Sequence, residues 1–421
     1  MATSRWLGQD VPVAQLDTIT VGGTVEAGDV FIVTINSKAV PAVATTTNTT
    51  TTATDVVAVL VASTVPEFQE ISFVAAAATI TATSRVAGRA FTLTASTTES
   101  GGGAADSQTF VNVHTTVNAG PNDWSSTQNW DAGSVPVSTN DIVLANSAIG
   151  IFYGLAQSAV TLTSLTIDST FTAPIGLPKR NVNGYGEYRP DYLQIGATTL
   201  TIGRGSGQGS GRIKIDNGTA QTTVNVYGSG QPAEPGYEAI LWKGTHASNV
   251  VNVFKGSFGA AVFAGEVATI ATLRVGYTTN VLGDAQVRCG SGVTLTTITQ
   301  TGGSLEINSA ATTITKTAGN LTVNGTATVT TLNENGGTTI YKSSGTITTL
   351  NVSAGGTFDK SQDLRALTIT NTNLYSGATL LDPGKTITFT TPIAIVGCGL
   401  KPLDPDGVLL DLGTTYSIQR S

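Results

Sequence analysis

Two histidines, two cysteines and a thin scatter of carboxylates are the chain's main resources for chemistry, and their spacing decides which reactions are open to it. His114 lies in an alternating Val-Asn-Val-His stretch and His246 beside a Ser/Thr loop, with no cysteine near either, so zinc ligands of ordinary spacing are absent. Both read as surface or edge residues. Cys289 and Cys398 are far apart and each is flanked by glycine in an apolar stretch, which points to two small buried hydrophobes rather than a disulfide. No Gly-x-Ser-x-Gly elbow offers a serine nucleophile.

Sugar hydrolysis would need two carboxylates facing each other across a groove. The candidate pairs are Asp359 with Asp363, in an irregular stretch, and Asp404 with Asp406, around Pro405; solvated turn residues describe both pairs better. The Asp404 to Gly407 turn is also too short for a calcium loop. The glycine-rich run from Gly203 to Gly211 fails the Gly-x-Gly-x-x-Gly spacing, and Arg212 to Ile215 after it reads as strand, so no helix N-terminus is there to hold a phosphate. The expectation is a chain with no catalytic residues, no metal and no cofactor.

Charge and aromatics gather at one place, from Lys179 to Tyr192. Arg180, Tyr185, Tyr188, Arg189 and Tyr192 have the composition of an interface hot spot and are read as a subunit contact, with ligand or glycan binding and plain packing as the alternatives. Charged residues make up only 12% of the 421, the net charge is −7, and no Lys/Arg cluster exists, which excludes nucleic acid as a partner. A surface of this kind is built from hydroxyls. No apolar stretch follows Met1 and none is long enough to span a membrane, so neither a signal peptide nor a membrane span is expected.

The elements that must position these residues are short and β-branched. Between Val293 and Thr357 the pattern recurs about every seventeen residues, punctuated by Gly302-Gly303, Gly319-Asn320, Gly336-Gly337 and Gly355-Gly356. Each repeat has a run of Thr, Val, Ile and Leu on either side of the turn, and none is long enough for a helix. Such repeats predict stacked coils of a parallel β-helix, with Ile298, Ile314, Leu332 and Leu350 inward at equivalent positions. At about 18 residues per coil and about 4.8 Å between strands, residues 159 to 396 would form about thirteen coils, less any insertions. Ahead of them, Asn122-Asp123-Trp124, Asn129-Trp130-Asp131, Pro136 and Asp141 suggest a cap over the first coil, because the end of a solenoid exposes unpaired edges and core. Trp124, Trp130, Pro136 and Asp141 are the expected cap residues, with an aromatic sugar platform as the alternative for Trp124 and Trp130.

The N-terminal part has a different pattern. Residues 1 to 18 lack periodicity and carry Trp6, Leu7, Val11 and Leu16 in a polar context, the composition of an arm that orders against a partner. A compact α+β module follows: a hairpin through Asn36-Ser37-Lys38, a short helix capped by Asp55 and ending near Pro66, and strands at Ile71 to Phe73, Ala78 to Thr83 and Ala90 to Ala95. The near-continuous threonine run from Thr45 to Thr54 is expected to be a loose loop.

The stretches Glu26 to Lys38, Val65 to Ile71 and Ala87 to Thr94, with the leader Arg5-Trp6-Leu7-Gly8 and Pro12 to Ile19, resemble a small module recurring in structural proteins of tailed bacteriophages. The resemblance covers about the first hundred residues. It implies a virion component and no active residues.

The resulting division is a docking arm (1–18), an α+β module (19–97), a Gly-rich linker with a connecting strand (98–118), a capped right-handed-type parallel β-helix (119–399) and a terminating strand (400–421), in a mainly β chain. The expected role is structural: a capsid decoration or head-fibre protein, a homotrimer by analogy, docked through Trp6, Leu7, Val11 and Leu16 on the major capsid protein or another virion protein. The competing expectation is a tail fibre or tailspike that binds, and possibly cleaves, a host glycan.

Overall fold

The computed structural model describes residues 3–99, 107–177, 191–205, 212–230, 238–276, 284–353, 355–412 and 417–420. Strand β1 (Thr3–Arg5) opens the chain, followed by β2 (Leu16–Gly22), β3 (Val30–Ile35), β4 (Lys38–Val43), α1 (Thr49–Ala62), α2 (Pro66–Gln69), β5 (Ile71–Ala76), β6 (Thr79–Ser84), β7 (Leu93–Thr98) and β8 (Thr109–Thr116). From β2 to β8 these elements form the α+β module, with two antiparallel sheets ordered β5-β6-β2-β8 and β4-β3-β7. The hairpin expected at Asn36-Ser37 is present, and both residues take the left-handed backbone (φ 46° and 76°) that a two-residue turn with right-twisted strands requires. Strand alternation puts Phe31, Val33 and Ile35 into a core shared with Ile19, Phe68 and Phe110.

Two local expectations are corrected. Helix α1 begins at the threonine run, and its N-cap is Asn48, whose side chain accepts from the N–H groups of Thr50 (2.9 Å) and Thr51 (3.1 Å). Asp55 therefore sits inside the helix. Threonine is a poor helix former, but the Asn48 cap and the burial of Thr52, Ala53, Val56 and Leu60 outweigh propensity here. Second, β8 is no mere connection, since it pairs antiparallel with β2 along its length and completes the module's larger sheet. Of the expected linker and connecting strand at 98–118, residues 100–106 lie outside the described residues.

Beyond the module the chain is one long parallel sheet. Strands β9 (Asp141–Leu144), β10 (Ala156–Asp168) and β11 (Leu193–Arg204) lead into Thr223–Val226, Val250–Val253, Ala268–Val275, Val293–Gln300, Ala311–Lys316, Val329–Glu334, Ile347–Val352 and Leu367–Leu374, each paired in parallel with the next. A second parallel ladder alternates with it along the chain, from Ile213–Asp216 through Ile240–Lys243, Gly256–Ala260, Ala285–Cys289, Ser304–Ile307, Asn320–Gly325, Thr338–Ser343 and Thr357–Asp359 to Thr379–Asp382.

In the first ladder Ile142, Leu165, Leu200, Val224, Val251, Leu273, Ile298, Ile314, Leu332 and Leu350 hold the same register and are all fully buried. The four inward positions expected from the repeat are thus in one row. Strand geometry explains why: a period of two sends alternate residues to one face, and parallel pairing in constant register stacks that face on itself.

The glycine punctuation also acquires a cause. A Cβ at Gly319 would come 2.4 Å from the Gly303 carbonyl oxygen, and one at Gly337 would come 2.3 Å from that of Gly319. All three glycines have positive φ (69°, 85° and 79°). Successive turns stack backbone on backbone, and no side chain fits between them. Among the described residues no helix is long and apolar enough to cross a membrane.

Candidate functional site

The first rung of the stack is closed by the chain's own N-terminus. Strand β1 pairs in parallel with β9, and Trp6 bridges Trp130. Trp6, Trp130 and Trp124 are buried and pack edge to face in sequence, with ring centroids 5.2 Å and 4.7 Å apart. The Trp6 indole N–H donates to the Ile149 carbonyl (3.2 Å), and that of Trp130 to the Trp124 carbonyl (2.9 Å). Asn129 ties the arm down: its side chain accepts from the Asp10 N–H (2.8 Å) and donates to the carbonyls of Gly120 and Asp123 (2.8 Å each), while its own carbonyl accepts from the Leu7 N–H (2.8 Å). Asp123 accepts from Asn118 and the Ser125 N–H; burial still pushes its carboxyl above the ordinary range.

Of the residues expected in a cap, Trp124 and Trp130 are buried against each other, Pro136 is buried, and Asp141 opens β9 and accepts from the Ser164 hydroxyl. The expected docking arm is corrected. Trp6 is buried against Trp130, where its indole removes apolar area from water that a free arm would leave exposed. Of the other arm residues, Leu16 is half-buried in β2, while Leu7 and Val11 remain exposed.

An uncharged exposed face is found instead on the module's larger sheet. One row across it reads Val74, Thr81, Thr18, Val113, and the next Ala76, Thr79, Thr20, Val111. Val74, Val111 and Val113 are each more than half exposed (57%, 54% and 58%), and Val11 and Val117 are exposed as well. Neither row contains an ionisable side chain. The face is apolar on its two edge strands and lined by threonine hydroxyls between them, so a partner can cover it without desolvating a charge.

Of the expected subunit-contact residues, Arg180, Tyr185, Tyr188 and Arg189 lie outside the described residues. Of the five, Tyr192 is described. It is buried in its own chain, with the Lys243 ammonium 4.0 Å and the Lys214 ammonium 5.6 Å from its ring centroid. Lys243 also lies 3.5 Å from Asp216 and 3.9 Å from Glu266, and Lys214 2.9 Å from Asp191. Burial, then the charges of Glu266, Asp191 and Asp216, push the phenol well above its usual range.

Three of the four carboxylates considered for hydrolysis are engaged by their own chain. Asp359 accepts from the Ser361 N–H, Asp404 from the N–H groups of Gly399 and Asp406, and Asp363 is held by Lys360 (2.8 Å) and Arg365 (3.0 Å). Among the described residues no cluster of His, Cys, Asp or Glu could hold a metal. Cys289 and Cys398 are both free thiols, and burial pushes Cys289 up to about 12.

Two polar groupings escape a linear reading. Asp17, buried in β2, pairs with His114 of β8, and Gln15 donates to Asp17 and to the Phe91 carbonyl. Gln300, Lys316 and Glu334 occupy consecutive positions in an inward row. The signal for the second was available: each stands two residues after an inward Ile or Leu, so strand alternation points it to the same face.

Compared with known proteins, no family model, no curated protein and no solved structure matches this chain.

Proposed function

We propose that the chain is a structural protein of a tailed-bacteriophage particle, a capsid decoration or head-fibre protein that seats its N-terminal module on the shell and projects the stacked strands as a right-handed parallel β-helix. The observation that carries this reading is the uncharged face of the module's larger sheet, which exposes Val74, Val111 and Val113 on the side opposite a core of Ile19, Phe31, Phe73 and Ile80. The resemblance of the first hundred or so residues to phage structural modules supports it, as does a charge-poor rod with three of its four candidate carboxylates engaged by their own chain. The partners are the major capsid protein or another virion protein, and further copies of the chain itself, with a homotrimer matching threefold positions of an icosahedral shell.

Purified protein added to particles lacking it tests the docking face. Wild type is expected to bind, and Val111→Asp with Val113→Asp to lose binding while remaining folded, because a charge in a desolvated contact is costly. Equal binding by the variant overturns the choice of face. A host-glycan-binding tail fibre is the second reading, favoured by the polar groove described next.

A further inference from the structure

We infer that a groove on the early rungs of the stack is a binding site for a neutral oligosaccharide. Strands β10 and β11 pair at Ala156 and Gln157 with Gln194 and Ile195, then resume at Thr161 with Gly196, so residues 158–160 bulge out of the ladder. The next rung turns between Ile213–Asp216 and Thr223–Val226. Between the bulge and this turn lies a groove of about 890 Å³, lined by Ser158, Thr161, Gln194, Thr198, Asp216 and Gln221 among others. That size is in the range of small-molecule sites.

Its floor is rigid. Asn217 donates to the Ile195 carbonyl (2.7 Å) and accepts from the Trp242 indole N–H (2.6 Å), which pins the turn to the rungs on either side. Gly196 lets the rungs close up here, since a Cβ would lie 2.8 Å from the Thr161 hydroxyl and 2.9 Å from Ala220. The Asp216 carboxylate is oriented by the Gly218 N–H (2.9 Å) and by Lys243 at 3.5 Å.

The walls carry unused hydrogen-bonding capacity. The side chains of Ser158, Gln194, Thr198 and Gln221 bond to no other described residue. Amides and hydroxyls both donate and accept, as a sugar's hydroxyls do, and a carboxylate accepts from two adjacent hydroxyls at once. Among the described lining residues the only ionisable group is Asp216, which disfavours anionic sugars and offers a phosphate no cation. None of the described lining residues is aromatic, which suits a polar ligand. The groove runs across three strands, β10, β11 and the rung after them, so it takes a chain of sugars rather than one. Hydrolysis needs a second carboxylate facing the first, and the described lining has only Asp216, so the site binds without cleaving.

The inference does not rest on particle docking. Calorimetric titration of the full chain with maltoheptaose, cellohexaose and a linear dextran oligosaccharide tests it, with a hyaluronan hexasaccharide as the anionic control. At least one neutral probe should bind saturably, more tightly than the anionic control. Binding should weaken at least tenfold in Gln194→Ala with Gln221→Ala and in Thr198→Trp, which fills the groove from its rim, with melting temperatures unchanged. Absence of saturable binding by all neutral probes at millimolar concentration overturns the inference, as does binding that both variants leave intact or a preference for the anionic sugar. None of these outcomes touches the Val111 and Val113 docking test.

Discussion

The Lys316 ammonium lies 2.7 Å from a Glu334 carboxylate oxygen, with both side chains fully buried one rung apart in a row that otherwise carries Val226, Val253, Val275, Val352 and Leu374. Lys316 also donates to the Gly336 carbonyl (2.8 Å), the Thr339 hydroxyl donates to the other Glu334 oxygen, and Gln300 occupies the preceding rung. Burial pushes the lysine down and the glutamate up, against the bond between them, so each pays desolvation that the partner offsets only in correct register.

The pair therefore yields a signed prediction. Lys316→Met or Glu334→Leu alone should destabilise the chain by about 3–5 kcal/mol, because each leaves an uncompensated buried charge, while the double variant should be neutral or more stable by about 1–4 kcal/mol. Chemical denaturation of all three variants measures this. A double variant as unstable as the singles would show that the pair contributes net stability.

Trp6 gives a second test. As a cap residue, its replacement by alanine should cost about 3–5 kcal/mol, the usual range for truncating a buried tryptophan. Thermal and urea unfolding of Trp6→Ala decide between this and a free arm, for which stability would not change.

How much of this was legible follows from locality. The row of Ile298, Ile314, Leu332 and Leu350 could be read in advance because alternation and glycine turns repeat within a short stretch of chain. The Trp6 contact could not, since its partner Trp130 is distant in sequence and no local pattern links them. The start of α1 was misread because threonine propensity pointed to a loop, whereas the Asn48 cap and tertiary burial decided it. The Lys316 and Glu334 pair was in phase with its inward neighbours, but a charged residue in a threonine-rich strand reads as solvent-facing until the register is known. The groove depends on a bulge in β10, and bulges leave little trace in composition.

Acid stability supplies a third prediction. Burial raises the Asp363 carboxyl, but Arg365 and Lys360 outweigh it and hold the group well below its ordinary 3.8. A depressed folded value stabilises the fold above the unfolded value and loses that contribution as pH falls through the folded one. Asp363→Asn should therefore lower stability at neutral pH and flatten the loss of stability below about pH 4. Melting curves from pH 7 to pH 2 measure it, and parallel profiles for wild type and variant would count against the assignment.

The central claim is that the module with the Val111 and Val113 face holds the chain on a phage shell while the stacked strands project. Cryo-electron microscopy of virions produced with the wild-type chain and with Val111→Asp and Val113→Asp together tests it most directly. The account predicts rod-like density standing on the capsid faces, the module innermost with its larger sheet against the shell, and loss of that density in the variant. Density at the tail tip, a rod with its stacked strands against the shell, or unchanged capsid density in the variant would contradict it.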